Sequence, residues 1–147
     1  MGYITLYHYT SKSSAEKIKQ QEVIKASDPD GPDAKFGEGV YLTSFGPEMG
    51  KDFLNKNNWG GRRKINRKLE AYVKIKMNED DRCLNDVSEG GRVIFLYEGD
   101  LDLEEYSYEI KLFNWKFTLG IISDYIVDMV FLWFTWYKSK FKCDFVI

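Results

Sequence analysis

Histidine is nearly missing from this chain: His8 is the only one in 147 residues. A metal centre built on several histidines is therefore excluded. Cysteine is almost as scarce. Cys83 and Cys143 are the only two, too few for a disulfide framework or a zinc site made of cysteine pairs. An excess of charge of one sign is also lacking. With 21 Lys and Arg against 23 Asp and Glu, the net charge is −2, so no global positive field draws the chain to nucleic acid. Nor is there a long uninterrupted apolar run. The nearest is "LGIISDYIVDMVFLWFTWY" at 119–137. Asp124 and Asp128 interrupt it, each costly at a bilayer centre, and it reads as a buried element of the core. The opening "MGYITLYHYT" lacks the basic start and apolar stretch of a signal peptide. Leu6 stands where the myristoylation pattern needs Ser or Thr. Cytoplasmic residence is the default expectation, with no membrane partner.

What is present is a globular profile. Hydrophobic residues make up 44% and charged residues 30%, enough apolar material to close a core, and the length suits a single domain over 1–147. "YITLYH" at 3–8 alternates, with Ile4, Leu6 and His8 on one face, and predicts a strand. "SSAE" at 13–16 has the form of a capping box, Ser13 with Glu16. A short helix follows it, with Ala15 and Ile18 inward, ending near Gln21. Residues 27–39 are dense in Pro, Gly and Asp and read as a loop. "VYLT" at 40–43 is a short strand. Pro47 then opens a second helix at its first position, with Met49 and Phe53 on one face. In "EAYVKIKM" the residues Ala71, Val73, Ile75 and Met77 point one way and Tyr72, Lys74 and Lys76 the other. "RVIFLYEGDLDL" at 92–103 reads as a strand, a turn at Gly99 and a second extended piece. "EIKLFNWKFTLG" follows as another strand, then a helix over 121–133 and an alternating tail "FKCDFVI". Without regular crossover helices the strands should be mostly antiparallel. The fold class is α+β.

Three places carry groups suited to chemistry. "LYHYTS" puts His8 at the end of the first strand with Thr10 and Ser11 beyond it. "FGEGVYLT" brings Tyr41 onto a strand after Gly37 and Gly39. "RVIFLYEGDLDL" ends on the acids Asp100 and Asp102. Taken singly, each has an ordinary reading: a structural histidine, strand packing, turn acids and loop glycines. A Ser-His-Asp hydrolase would have to use His8, yet no Gly-x-Ser-x-Gly elbow exists. No GxGxxG lies between a strand and a helix. The basic run "RRKINRK" at 62–68 reads as a solvated loop, or alternatively as a patch contacting phosphates of RNA or of a dinucleotide. The aromatics at 131–137 read as core.

In order, these pieces resemble a known family. A His strand followed by a polar pair and a helix, a "GxGVYLT" strand, then a late acidic strand end is similar to the ADP-ribosyltransferase fold, in the branch of diphtheria toxin and poly(ADP-ribose) polymerase. Within it, "LYHYTS…AEKI…VIKAS…FGEGVYLTS…GDLDL" resembles the toxin-type family named for its His-Tyr-Asp signature, over about residues 4–103. The resemblance implies a compact, split, mostly antiparallel sheet and NAD as substrate, without a metal. It implies that His8 bonds ribose hydroxyls, that Tyr41 packs on the nicotinamide ring, and that an acid holds the 2′-hydroxyl of the nicotinamide ribose. Asp100 is favoured for the acid, with Asp102 the alternative; Glu98 and Glu109 remain open. Tyr9, through its backbone, would meet the nicotinamide amide, with Thr10 beside it. Two features depart from the pattern. Tyr9-Thr10-Ser11 stands where Gly-Ser or Gly-Thr is usual, and the acid is one methylene shorter than Glu. The expected activity is mono-ADP-ribosyl transfer to a protein or nucleic-acid acceptor, in a toxin or effector delivered into a target cell. Alternatives are an NAD glycohydrolase, a non-catalytic module that binds NAD, ADP-ribose or a protein partner, and an RNA-end 2′-phosphotransferase.

Overall fold

The alternation in "EAYVKIKM" organises the molecule. In the computed structural model, which describes residues 2–31, 35–61 and 66–113, Ala71, Val73, Ile75 and Met77 are fully buried. They lie on β4 (Ala71–Asn78), the central strand of a three-stranded sheet. One neighbour is β1 (Tyr3–Thr10), paired antiparallel along its whole length from Tyr3↔Asn78 to Thr10↔Ala71. The other is β8 (Ser107–Leu112), also antiparallel. The described residues belong to one compact unit within 1–113. The expected helix at 121–133, the aromatic cluster, the run at 119–137 and the tail strand lie outside the described residues, as do residues 62–65 of the basic run.

Two smaller sheets complete the α+β architecture. The strands β2 (Val23–Ile24) and β7 (Leu101–Asp102) pair with each other. The strand β3 (Val40–Leu42) pairs with β6 (Phe95–Tyr97), and β6 pairs with β5 (Leu84–Asp86). Every named strand pair is antiparallel. The core runs through all three sheets and includes Leu6, Ile24, Leu42, Ile75, Leu101 and Leu103. Each such side chain, removed from water, contributes roughly 1.5–3 kcal/mol. The opposite face of β1 and β4 is aromatic. Tyr7, Tyr9 and Tyr72 lie with ring centroids about 6 Å apart, and Tyr9 donates its hydroxyl to the Phe45 carbonyl.

Several local expectations are corrected. The first helix, α1 (Lys12–Gln21), is capped by Ser11, not by Ser13 with Glu16: the Ser11 hydroxyl accepts from the Ser14 N–H at 3.1 Å. The reason is register. Thr10 still pairs with Ala71, so the chain must turn into the helix at the next residue. Pro47 opens only a 3-10 turn (Pro47–Met49). Gly50, at φ 81°, then breaks the backbone before α2 (Lys51–Trp59) begins. The β6 ladder starts at Phe95, not Arg92. Between β4 and β6 sits β5, whose single apolar residue, Leu84, gives no alternation to see in the sequence.

Candidate active site

The strand β1 is bound differently on its two edges. Towards β4 it has a complete ladder. Towards β3 it has one bridge, in which Tyr7 N–H donates to the Thr43 carbonyl at 2.8 Å and Thr43 N–H to the Tyr7 carbonyl at 3.0 Å. Backbone groups alternate along an antiparallel strand. The N–H and C=O of Tyr9 therefore turn to the same edge as those of Tyr7, beyond that bridge. Past it the two strands separate, and a cavity of about 460 Å³ opens between them.

His8 and Tyr41 both line this cavity. His8 is half-buried, and its Nδ1 lies 3.0 Å from the Tyr41 carbonyl. A carbonyl only accepts, so Nδ1 carries the proton in this contact. Desolvation holds the His8 pKa below its ordinary 6.5 and outweighs the bond to Tyr41, which works in the other direction. The ring is therefore neutral near pH 7, and its Nε2 remains a hydrogen-bond acceptor. That atom suits the hydroxyl of a sugar.

Tyr41 is fastened by its hydroxyl, which donates to the Gly37 carbonyl at 2.8 Å and accepts from the Phe36 N–H at 2.9 Å. The phenol thus ties down the loop before its own strand. Its ring lies beside that of Phe36, centroids 6.3 Å apart. Gly39 is needed for a close approach: a Cβ there would stand 2.5 Å from the Tyr97 carbonyl, with φ at 152°. Its own carbonyl accepts from both the N–H and the hydroxyl of Ser27 at 2.9 Å, holding another lining residue in place. Thr10 and Ser11 line the same cavity beside Tyr9.

The acids lie elsewhere. Asp100 follows the Gly99 turn and is exposed. Its carboxylate accepts from Lys25 Nζ at 2.7 Å and from the Ala26 N–H at 2.8 Å, contacts that lower its pKa. Lys25 lines the cavity; Asp100 does not. Asp102 caps the 3-10 turn Leu103–Glu105 by accepting from the Glu104 N–H. Glu98 accepts from Asn85 and Glu109 pairs with Lys111. Among the described residues the cavity lining contains no Asp or Glu at all.

Sequence reasoning missed the cations. Lys25, Lys35, Arg67, Lys68 and Arg92 all line the cavity. Only Arg67 and Lys68 fell in a stretch singled out for its charge; the other three are scattered along the chain. Lys35 pairs with Glu89 and lies 4.8 Å over the Phe36 ring. Arg92 donates to the carbonyls of Asn57 and Asn58 at the end of α2, where the helix dipole favours a positive group. The buried Asn57 anchors that corner, donating to Thr43 and Val93 and accepting from the Val93 N–H. Among the described residues no cluster of His, Cys, Asp or Glu is placed to hold a metal. No helix of the described residues is long and apolar enough to cross a membrane.

Residues 6–105 match the family described as HYD1 signature containing ADP-ribosyltransferase. No curated protein and no solved structure matches the chain.

Proposed function

The chain belongs to the ADP-ribosyltransferases that contain the HYD1 signature, and from this premise we propose that it cleaves the nicotinamide–ribose bond of NAD and transfers a single ADP-ribose to a macromolecular acceptor. The observation that carries the reading is the junction of His8 and Tyr41 at one cavity, joined by the 3.0 Å bond from Nδ1 to the Tyr41 carbonyl. In this reading His8 Nε2 accepts from a ribose hydroxyl. The Tyr41 ring covers the nicotinamide, a cationic ring against an aromatic face. The Tyr9 backbone meets the carboxamide, with Thr10 beside it. The glycosidic bond breaks with its electron pair leaving on nicotinamide, and the acceptor attacks the anomeric carbon. Asp100 is the acid of the reaction in this proposal and Asp102 the alternative. In this structure its carboxylate is held by Lys25 and the Ala26 N–H. Delivery into a target cell as a toxin or effector is part of the same proposal.

A second reading is favoured by one observation, the absence of a carboxylate among the described lining residues. It is a module that binds NAD or ADP-ribose without turnover. Incubation with NAD separates the two. Nicotinamide release supports the enzyme, and saturable binding without release supports the module. Release with no acceptor labelled identifies an NAD glycohydrolase. In the enzyme, His8→Ala lowers release at least tenfold, the order expected for one lost positioning bond, with the circular dichroism spectrum unchanged. Full activity in that variant overturns the role of His8.

A further inference from the structure

The cavity carries more positive charge than NAD requires. NAD presents two negative charges on its pyrophosphate and one positive charge on its nicotinamide. The lining presents Lys25, Lys35, Arg67, Lys68 and Arg92 and, among the described residues, no carboxylate. Lys25 is paired with Asp100 and Lys35 with Glu89, acids that do not line the cavity, so the excess comes from Arg67, Lys68 and Arg92. This occurs in a chain whose net charge is −2, so the cations are concentrated here against the overall balance. They come from four separate places in the chain. Lys25 reaches the cavity after β2, Lys35 from the loop before β3, Arg67 and Lys68 from the 3-10 turn Asn66–Leu69, and Arg92 from the segment before β6. Aromatic surface lies among them in Phe36, Trp59 and Tyr7. Cations interleaved with aromatic rings suit single-stranded nucleic acid, whose phosphates meet the former and whose bases stack on the latter. A duplex is too wide to bring a reacting group into a cavity of about 460 Å³; a strand end is not.

The absence of a carboxylate among the described lining residues also bears on the nucleophile. A hydroxyl or amine acceptor must lose a proton as it attacks, which calls for a general base, and the Nε2 of neutral His8 is already assigned to a ribose hydroxyl in this reading. A terminal phosphate is already anionic. Its oxygen forms the new bond to the anomeric carbon, the bond to nicotinamide breaks, and the electron pair leaves with the neutral nicotinamide. No proton moves. We propose that the acceptor is the terminal phosphate of a single-stranded nucleic acid, held by the cations that line the cavity. The proposal rests on the NAD-dependent transferase reading.

Oligonucleotides of about ten residues, RNA and DNA, with and without a 5′- or 3′-phosphate, are offered to the full chain with labelled NAD, while nicotinamide release is followed without oligonucleotide. Binding of the same oligonucleotides is measured separately by fluorescence anisotropy from 50 to 200 mM salt. The expected result is label on phosphate-ended strands and none on hydroxyl-ended ones. If about three phosphates are engaged, binding weakens about twentyfold over that salt range. Arg67→Gln should weaken binding several-fold for every sequence and make the salt slope shallower by about 0.7. Because Arg67 is exposed, this change leaves the fold intact. Equal labelling of hydroxyl-ended strands, or label on protein alone, overturns the proposal even while nicotinamide release upholds the enzyme. Absence of release overturns the underlying reading, and salt-independent oligonucleotide binding, or none, overturns the site itself.

Discussion

The two edges of β1 do different work. Towards β4 every residue from Tyr3 to Thr10 has a partner, and the side chains beneath are the centre of the core. Towards β3 the backbones meet in a single bridge at Tyr7 and Thr43, beside the side-chain bond from His8 to the Tyr41 carbonyl. Beyond the bridge the backbone of Tyr9, the Nε2 of His8 and the ring face of Tyr41 line the cavity, while His8 Nδ1 and the Tyr41 hydroxyl still serve the fold. A complete ladder leaves no unused donors and acceptors for a ligand; a ladder that stops early does. Stability and recognition are thus separated across the width of one strand, and substitutions on the two sides should fail in different ways.

The largest effect belongs to the closed side. Ile75 is fully buried at the middle of β4. Ile75→Ala removes about three carbons' worth of packing and should cost roughly 3 kcal/mol, about a hundredfold in the folding equilibrium. Chemical denaturation measures it. Nicotinamide release per folded molecule should stay within about twofold, since transition-state contacts are untouched. A large loss of turnover in protein shown to be folded would break the separation of the two edges.

On the open side, Asp100→Asn should lower nicotinamide release by about a hundredfold, with NAD affinity changed only modestly. Its contacts with Lys25 and Ala26 provide the sharper comparison. If Asp100 acts by positioning Lys25, then Lys25→Ala reproduces most of the loss. If Lys25→Ala is mild while Asp100→Asn is inactive, the carboxylate acts on the ribose directly after leaving the lysine. Asp102→Asn should be nearly silent, because Asn caps a turn as well as Asp does. An inactive Asp102→Asn beside an active Asp100→Asn transfers the role to Asp102.

A smaller effect is expected at Tyr41. Its ring is assigned to the nicotinamide, but its hydroxyl holds the loop at Phe36 and Gly37. Two hydrogen bonds of about 1 kcal/mol each mean that Tyr41→Phe is not neutral. It should reduce activity several-fold by loosening the loop, whereas Tyr41→Ala, losing the ring too, should reduce it by a further tenfold or more. Steady-state kinetics on both variants decides. Equal losses would place the whole contribution in the hydroxyl.

How much of this was legible follows the same division. The closed side was readable because its signal is local: strict alternation in "EAYVKIKM" can hardly be anything but a half-buried strand, and it proved to be the core. His8 and Tyr41 were legible as an ordered pair, and they do meet at one cavity. The cap at Ser11 was missed because register on the neighbouring strand, which decides where the helix starts, is not a local property. The cations were missed for a related reason. Lys25, Lys35 and Arg92 are ordinary surface residues in sequence, and only the meeting of β2, β3 and β6 gathers them. The acids illustrate the converse. Gly99-Asp100 was correctly read as a turn with an acid after it, but no pattern in the chain announces that Lys25 will take that carboxylate.

The smallest effect is also the most diagnostic of the open side, because it reports the charge on His8 itself. Desolvation puts the native pKa of His8 below 6.5, so the unfolded chain binds a proton in acid that the native chain refuses. Stability contributed by a neutral His8 is constant above about pH 6.5. It declines as the pH falls from there towards the native pKa, with a slope of at most about 1.4 kcal/mol per pH unit. The exposed carboxylates Asp86, Glu89, Asp100 and Glu109 have lowered pKa values as well. Their contributions are present above the unfolded carboxylate range and are lost only as the pH falls through their lower native values, a more acid window. His8→Asn keeps a donor near the position of Nδ1 for the Tyr41 carbonyl and removes the titration. Urea denaturation of both proteins between pH 8 and pH 5 should give curves that run parallel above 6.5. Below it the wild type should lose ground to the variant. If the wild type gains on the variant as the solution is acidified, His8 is charged in the native protein. It then has no lone pair at Nε2, and its assignment as the acceptor for a ribose hydroxyl fails.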